Sequence, residues 1–264
     1  MIKRVMEAAG KPLVKATAQR TQELVGNYDA IGAQVAEACK KYQRPQSQVR
    51  VLPVSKFKPA NDILALYETK GLRNFGENYV QELVEKSQIL PEDIQWHFIG
   101  NLQSNKVKHL ATVKNLFVIE SASGYSKMKK LNDLREESWP ITNVYFQINT
   151  SDEAQKGGLS YDEVDKIVEE IKNINKSCAK LAFKGFMTIG SVGQSTKHDG
   201  SENTDFEKLV NLRKQVAEKL NIEENELDLS MGMSNDYEEA IRQGTNQVRI
   251  GTNIFGARDY SKKN

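Results

Sequence analysis

The sequence has few of the residues that build disulfide frameworks and metal sites. Its 264 residues include only two cysteines, Cys39 and Cys178. Two cysteines so far apart in sequence argue against a disulfide-stabilised fold and are typical of a reducing compartment. The three histidines, His97, His109 and His198, share no metal-ligand spacing with each other or with the cysteines. We therefore expect neither a disulfide framework nor a metal centre.

The sequence also lacks an excess of charge and a long apolar run. The 37 basic and 35 acidic residues leave a net charge of +2, and no block of like charge stands out. This balance argues against a nucleic-acid or membrane-surface partner. No apolar segment approaches the length of about 20 residues that a membrane-spanning helix requires. These absences predict a soluble globular protein.

The N-terminus is the one region with a charge bias. Its first 20 residues hold five basic residues and one acidic residue. A mitochondrial presequence has this composition. The simpler interpretation is a disordered tail over residues 1–18, ahead of a helix that the apolar spacing predicts at about 19–43. We expect a cytoplasmic protein, with the mitochondrion as a candidate additional location.

Short apolar or β-branched segments alternate with amphipathic ones along the rest of the chain. Eight segments are predicted strands: 49–56, 71–79, 94–100, 115–121, 143–150, 183–190, 227–233 and 247–256. Strands separated by helices predict parallel pairing through helical crossovers. Eight such repeats in one chain favour a closed (β/α)8 TIM barrel. We therefore predict an α/β protein with a single domain over residues 1–264 and an extra N-terminal helix.

A doubly wound open sheet is the alternative fold. That fold would place a glycine-rich fingerprint after its first strand, where this chain has "SKFKPA". The barrel is therefore favoured. Pro53 conflicts with a regular first strand because proline cannot donate a ladder hydrogen bond, and we expect a bulge there.

Two cations are predicted at one mouth of this barrel. Closure makes the last strand a neighbour of the first. Side-chain alternation directs Arg249 inward if Val248 and Ile250 face the helices, and Lys56 can point inward from the end of the first strand. The guanidinium field would favour the neutral amine of Lys56. A neutral amine can attack a carbonyl group and form a Schiff base.

The loops after the last two strands suggest a phosphate site. They read "MGMSND" and "GTN", with hydroxyls at Ser234 and Thr252 and a flexible backbone at Gly251. Barrel phosphate sites commonly use these two loops. The alternative for Ser234 and Asn235 is helix capping, with Glu238 completing a capping box. A lysine beside a phosphate site suits either a sugar-phosphate aldolase or pyridoxal 5'-phosphate (PLP).

Several longer motifs resemble one family. They are "VSKFKPANDI", "NFGENYVQEL", "IQWHFIGNLQSNKVKHL", "QINTSDEAQKGGL", "GFMTIG" and "LSMGMSNDYEEAIRQGTNQVRIGTNIFGARDY". Together they resemble the pyridoxal phosphate homeostasis protein family, closest to a eukaryotic, fungal-type member. The likeness runs from about residue 48 to residue 260. It implies a barrel of the alanine racemase N-terminal-domain type.

The resemblance implies PLP as the cofactor and assigns residues to it. PLP would be held as an internal aldimine on Lys56, with Arg249 facing the pyridine nitrogen. Ser234, Gly251 and Thr252 match the family's phosphate site. Pro53 departs from the family pattern, which puts the geometry of the first strand in doubt rather than the identity of the lysine.

The resemblance also implies a role in vitamin B6 homeostasis without an established catalytic activity. Arg249 would leave the ring nitrogen unprotonated, which weakens the ring as an electron sink. Alanine racemase takes its second catalytic base from a further domain of the partner subunit, and this chain stops at Asn264. The alternative is a PLP-dependent amino-acid racemase or lyase. PLP-dependent apo-enzymes are candidate recipients of the cofactor, and a monomer is favoured over a dimer.

Three further polar residues near the predicted strand ends have two interpretations each. Asn78 either contacts the cofactor or makes structural turn bonds. Glu77 is expected to pair with Lys56 or with another nearby cation. His97 is expected to be a hydrogen-bonded histidine of the core or site lining rather than a metal ligand.

Overall fold

The computed structural model describes residues 13–153, 156–196 and 201–257. Nine strands lie within these ranges: β1 (Arg50–Pro53), β2 (Asn74–Glu77), β3 (Gln95–Phe98), β4 (Leu116–Ala122), β5 (Thr142–Asn149), β6 (Leu159–Ser160), β7 (Leu181–Met187), β8 (Asp228–Ser230) and β9 (Gln247–Ile250). The α-helices are α1 (Ala18–Lys41), α2 (Ala60–Lys70), α3 (Val80–Ile89), α4 (Val107–Leu110), α5 (Tyr125–Leu134), α6 (Val164–Ser177), α7 (Val192–Ser195), α8 (Thr204–Leu220), α9 (Tyr237–Arg242) and α10 (Thr252–Phe255).

The strands form a parallel barrel. Eight of them follow the order β1-β9-β8-β7-β5-β4-β3-β2, and the bridge between Val54 and Gly76 joins the two ends. The short β6 pairs with β5 outside this path. The predicted (β/α)8 barrel and the adjacency of the first and last strands are therefore confirmed. β6 was not predicted.

The N-terminal helix α1 forms where the apolar spacing predicted it. Thr17 accepts a hydrogen bond from Arg20 N and caps the helix start, while Lys40 and Lys41 lie favourably in its last turn. Side chains of α1 form hydrogen bonds to α10, the last described helix of the chain. Arg20 Nη2 donates to Phe255 O at 2.8 Å, and Asn27 Nδ2 donates to Ile254 O at 3.0 Å. The predicted tail and presequence fall mainly in residues 1–12, outside the described ranges.

Pro53 causes no bulge, so that prediction was wrong. β1 and β9 pair in continuous register from Arg50–Gln247 to Pro53–Ile250. Val54 N donates to Ile250 O on β9, and Ser55 N donates to Gly76 O on β2. Alternate N–H groups of β1 thus point to opposite neighbours, and the position of Pro53 faces β2. The missing N–H donor therefore faces β2, and β1 pairs with β2 through the bridge between Val54 and Gly76.

The barrel separates an apolar outer layer from a largely polar interior. Val248 and Ile250 pack in the main core with the helices, while Gln247 and Arg249 alternate with them and form buried polar contacts. This is the alternation predicted for the last strand. Two small apolar clusters lie apart from the main core: Leu52, Val54 and Ile99, and Val118, Tyr145 and Met187. Buried strands seldom carry so many polar side chains. The polar interior of the barrel therefore indicates the region of the functional site.

The polar segment 193–205 is partly structured. It contains most of α7, and Asn203 caps α8 by accepting from Asp205 N and Phe206 N. Residues 197–200 of this segment lie outside the described ranges. Throughout 13–153, 156–196 and 201–257, there is no helix of the length and apolarity that crossing a membrane demands. The same ranges hold no cluster of candidate metal ligands.

Gly185 is expected to be indispensable for the contact between β7 and β8. A Cβ at this position would lie 2.1 Å from the backbone oxygen of Asp228 on the paired strand. We expect Gly185→Ala to lower the free energy of unfolding by about 1–3 kcal/mol, because the backbones must separate. Chemical denaturation measures this loss.

Gly26 offers the matched control for that substitution. It lies in α1, and a Cβ there would meet nothing within 4 Å. Gly26→Ala should therefore stabilise the protein by roughly 0.5–1 kcal/mol through helix propensity. Equal effects at the two glycines would contradict the packing argument.

Candidate functional site

The site residues predicted from sequence follow the carboxyl ends of neighbouring strands. Lys56 follows β1, Asn78 follows β2, Ser234 follows β8, and Gly251 and Thr252 follow β9. In a parallel barrel these ends share one mouth. The structure thus brings the predicted set to the same end of the barrel.

Lys56 occupies a tight turn directly after β1. Lys58 N donates to Ser55 O at 3.0 Å and closes the turn around Lys56 and Phe57. Phe57 has a φ of 61°, which lies in the left-handed region that a bulky residue rarely adopts. Such backbone strain persists only where surrounding contacts hold it, and it concentrates at functional sites.

A buried ionic cluster lies behind this turn. Lys86 Nζ, on α3, contacts Glu77 Oε1 at 2.6 Å, Glu82 Oε1 at 2.7 Å and Ser55 O at 2.9 Å. Ser55 Oγ also donates to Glu77 Oε1 at 2.7 Å, and Phe57 N donates to Glu82 Oε1 at 2.8 Å. Of the two partners expected for Glu77, the structure shows the nearby cation, which is Lys86.

Burial raises the pKa of Glu77 to about 7, with Lys86 lowering it and Glu82 raising it. The folded state therefore binds this proton more tightly than the unfolded chain does. Its stabilising contribution is greatest below the ordinary pKa of 4.5 and is lost as the pH rises toward about 7. We expect Glu77→Gln, which mimics the neutral form, to gain stability relative to the parent protein across this window. Denaturation at several pH values measures the difference, and a difference that is constant with pH would contradict the assignment.

Arg249 lies buried inside the barrel. Its Nη1 donates to Ser230 O at 2.8 Å and to Ser230 Oγ at 2.9 Å, and its Nη2 donates to Thr188 O at 2.8 Å. Burial lowers the pKa of Arg249, while the charges of Glu120 and Asp236 oppose that change. Because an arginine stays protonated in proteins, the barrel holds a fixed cation here.

Glu120 is the buried counter-charge within the barrel. It accepts hydrogen bonds from Ser230 Oγ at 2.6 Å and Gln247 Nε2 at 2.6 Å, and it lies 2.7 Å from His97 Nδ1. Burial raises the pKa of Glu120, but His97, Arg249 and Ser230 together hold it below its ordinary value. Burial likewise lowers the pKa of His97. His97 is a hydrogen-bonded core histidine, in agreement with the expectation from sequence.

The strand register places Arg249 deeper than Lys56. Arg249 pairs with Leu52 in the β1–β9 ladder, four residues before Lys56. β1 ends at Pro53 and Lys56 lies in the turn that follows it, so Lys56 is closer to the mouth than Arg249. Arg249 therefore forms part of the floor of the mouth and Lys56 part of its rim. The sequence placed both residues at one mouth, and it did not reveal their difference in depth, which depends on the strand register.

The loops after β8 and β9 leave several backbone donors without partners. Within 201–257, none of the N–H groups of Ser234, Asn235, Thr252 and Asn253 donates a hydrogen bond to another described residue. The two loops are adjacent, since Arg249 N donates to Gly232 O at 2.9 Å. Neighbouring free N–H groups with hydroxyls at Ser234 and Thr252 can bind an anion such as a phosphate.

The capping box considered for Asn235 is absent. Helix α9 begins at Tyr237, and its N-cap is Asp236, whose Oδ1 accepts from Met233 N at 2.6 Å. Glu238 points elsewhere and pairs with Lys41 at 2.7 Å. Capping therefore does not explain the "MGMSND" loop, and the anion interpretation remains.

Asn78 has an unused acceptor beside the mouth. Its Oδ1 is buried and has no hydrogen-bond partner among the described residues. Its backbone lies against Gly100, where a Cβ would fall 1.8 Å from Asn78 O. A buried acceptor without a partner is costly in a folded protein, so this atom is available to a bound ligand.

Comparisons with known proteins decide the family. No family model matches the chain. The human pyridoxal phosphate homeostasis protein is 44% identical over 246 residues, which cover 89% of this chain and 86% of the human protein. The chain belongs to the pyridoxal phosphate homeostasis protein family.

Solved structures agree with this family assignment. PipY of Synechococcus elongatus PCC7942, solved with PLP bound, is 26% identical with a TM-score of 0.62, covering 84% of this chain and 100% of PipY. The alanine racemase of Bartonella henselae is 15% identical with a TM-score of 0.61, covering 92% of this chain and 61% of the racemase. The latter likeness shows the shared fold alone, which is the barrel type expected from sequence.

Several residues of the site in this family member were missed by sequence reasoning. Glu120, Ser230 and Gln247 form the barrel interior around Arg249, and Lys86 supports the turn of Lys56. A glutamate within the apolar strand segment "LFVIES" was the available signal for Glu120. No comparable signal marks Lys86, because its partners are brought together only by the fold.

Proposed function

We propose that this chain binds PLP at the mouth of the barrel through a covalent link to Lys56 and serves PLP homeostasis without catalysing a reaction. The observation that carries the proposal is the convergence of Lys56, Arg249 and the β8–β9 loops at one mouth of a family member. PipY, a structural neighbour, is solved with PLP bound.

The residues present at the mouth fit PLP. PLP supplies an aldehyde that condenses with a primary amine, a phosphate group and a pyridine ring that can withdraw electrons. Lys56 would provide the amine, and the phosphate would be held by the free N–H groups and hydroxyls of Ser234 and Thr252 together with the backbone at Gly251. The unused Oδ1 of Asn78 would accept a hydrogen bond from the cofactor. Arg249 would face the ring.

The environment of Arg249 supports a non-catalytic role. A guanidinium donates hydrogen bonds but does not give up its proton, so it leaves a ring nitrogen unprotonated. Glu120 and Asp236 oppose the effect of burial and favour the charged form of Arg249. An unprotonated ring withdraws electrons weakly, which disfavours carbanion chemistry. Racemase or lyase activity is the alternative function.

The partners, the location and the oligomeric state of the protein are proposed from this role in PLP homeostasis. A protein that buffers PLP would deliver it to PLP-dependent apo-enzymes. We propose that it does so in the cytoplasm, with the mitochondrion as a second location, and as a monomer. Size-exclusion chromatography with light scattering tests the monomer, and imaging of the full-length protein tests the location.

The decisive experiment is to mix the purified protein with PLP, remove the free cofactor and record the absorbance. A yellow protein is expected, and borohydride should fix the cofactor on the peptide that contains Lys56. A colourless protein that takes up no PLP would contradict the proposal. Sustained turnover of free amino acids, lost in Lys56→Ala, would instead establish the racemase or lyase alternative.

A further inference from the structure

Lys86 is placed at the centre of the contacts around the Lys56 turn. Its side chain is only 7% exposed. Its Nζ has three acceptors: Ser55 O, Glu77 Oε1 and Glu82 Oε1, at 2.6–2.9 Å. An ammonium group has three donors, so every one of them is used. One of these acceptors belongs to the backbone of the turn itself.

The cluster forms hydrogen bonds to the turn on both sides of Lys56. On the preceding residue, Lys86 holds the carbonyl of Ser55 and Glu77 holds its hydroxyl. On the following residue, Glu82 accepts the N–H of Phe57 at 2.8 Å. Lys56 is thus bracketed by contacts from a single helix, α3, and from the end of β2.

The conformation of the turn requires these hydrogen bonds. Phe57 has a φ of 61°, and a residue with a bulky side chain relaxes to negative φ when nothing holds it. That relaxation would rotate the peptide group between Lys56 and Phe57 and re-aim the lysine side chain. A covalent link to a cofactor held elsewhere at the mouth depends on that aim.

A purely stabilising role explains the cluster poorly. Buried ion pairs often contribute no more stability than apolar residues of similar volume, because each charge loses its hydration. Glu77 Oε2 is even left without a hydrogen-bond partner. The geometry, in contrast, is specific, since three of the five hydrogen bonds of the cluster end on the residues that flank Lys56.

We propose that Lys86 and Glu82 are positioning residues for Lys56: they hold the strained Ser55–Lys58 turn so that the lysine amine points at the cofactor aldehyde. This inference rests on the proposed function. It predicts that loss of the hydrogen bonds from Lys86 and Glu82 to the turn will reduce the covalently linked fraction of bound PLP more than it reduces PLP binding through the phosphate.

The test compares Glu82→Ala and Lys86→Met with Glu85→Ala. Glu85 is an exposed residue of the same helix whose side chain accepts from Gln81, four residues earlier. PLP is titrated into each protein well below its melting temperature, and the borohydride-fixed fraction is compared with total bound PLP. Removing the charge-assisted bond to the turn is expected to lower the covalent fraction about tenfold in the first two variants and not in the third.

A second measurement uses the protein without cofactor. In the parent protein the amide groups of Phe57 and Lys58 are hydrogen-bonded within the cluster and turn, so they should exchange slowly with deuterated solvent. Glu82→Ala should speed their exchange about tenfold while the strand amides of β1 stay protected. Phe57→Gly, which adopts positive φ freely, should diminish the effect of Glu82→Ala on the covalent fraction.

The outcomes separate this inference from the proposed function. If the parent protein takes up no PLP, the proposed function fails, and exchange at Phe57 still decides whether the cluster holds the turn. If the parent binds PLP and Glu82→Ala keeps its covalent fraction, the positioning role is overturned. Equal losses in covalent and total PLP would also overturn it, because they indicate general destabilisation. Should Lys86→Met not fold, Glu82→Ala, which alters a partly exposed side chain, decides the matter.

Discussion

Lys56→Ala is expected to abolish borohydride-fixable PLP. The substitution removes the amine after β1 and leaves intact the loops after β8 and β9, whose backbone N–H groups are proposed to hold the phosphate. PLP should still bind weakly and reversibly through its phosphate, but no reduced adduct should form, because a Schiff base requires a primary amine. Mass spectrometry of the reduced protein measures the adduct directly.

Lys58→Ala is the matched control for this prediction. Lys58 lies in the same turn, but its Nζ donates to Ala257 O at 2.6 Å, which directs it to the C-terminal segment. The Lys58 variant should keep one fixed PLP on the peptide that contains Lys56. Loss of the adduct in Lys58→Ala with retention in Lys56→Ala would reassign the covalent site.

Glu120→Ala is expected to cause a large loss of stability. The carboxylate is fully buried and accepts from Ser230 and Gln247 while lying beside His97. Its removal leaves the buried cation of Arg249 without that counter-charge. Removing a buried charge that compensates another, together with the acceptor of two buried donors, costs about 3–5 kcal/mol. Chemical denaturation of the cofactor-free protein measures the change in the free energy of unfolding.

Two further variants make the Glu120 prediction specific. Glu120→Gln keeps an acceptor oxygen and should lose less stability than Glu120→Ala. Glu163→Ala removes a carboxylate that is 43% exposed and pairs with Lys166 at 3.0 Å. An exposed pair contributes little, so this control should change stability by no more than about 0.5 kcal/mol. A Glu120→Ala protein as stable as the Glu163 control would show that the barrel interior tolerates an unpaired Arg249.

Local features of the fold were predictable where a local rule decides them. Helices α2 and α8 span the amphipathic segments "ANDILALYETK" and "TDFEKLVNLRKQVAEKL", whose apolar spacing is helical. Asn203 caps the start of α8, and Asn221 ends it with a φ of 55°. Capping and periodicity involve residues close in sequence, so they can be read without a fold.

The errors in prediction arose where strands meet. The bulge expected at Pro53 is absent because the missing donor faces β2 rather than the continuous ladder with β9. Which neighbour a given N–H faces depends on the pairing of the whole strand. The same limitation left Glu77 with two candidate partners until the structure placed Lys86 beside it.

The sequence by itself determined the barrel, the family motifs and the position of Lys56 directly after the first strand, because strand–helix alternation and short motifs are local patterns. Only the tertiary structure decided the depth of Arg249 and the hydrogen bonds of Glu120 inside the barrel. It alone also decided the hydrogen bonds of Lys86 and Glu82 to the Lys56 turn. These depend on the stagger of a closed sheet and on contacts between residues far apart in the chain. Register is set by all strands at once.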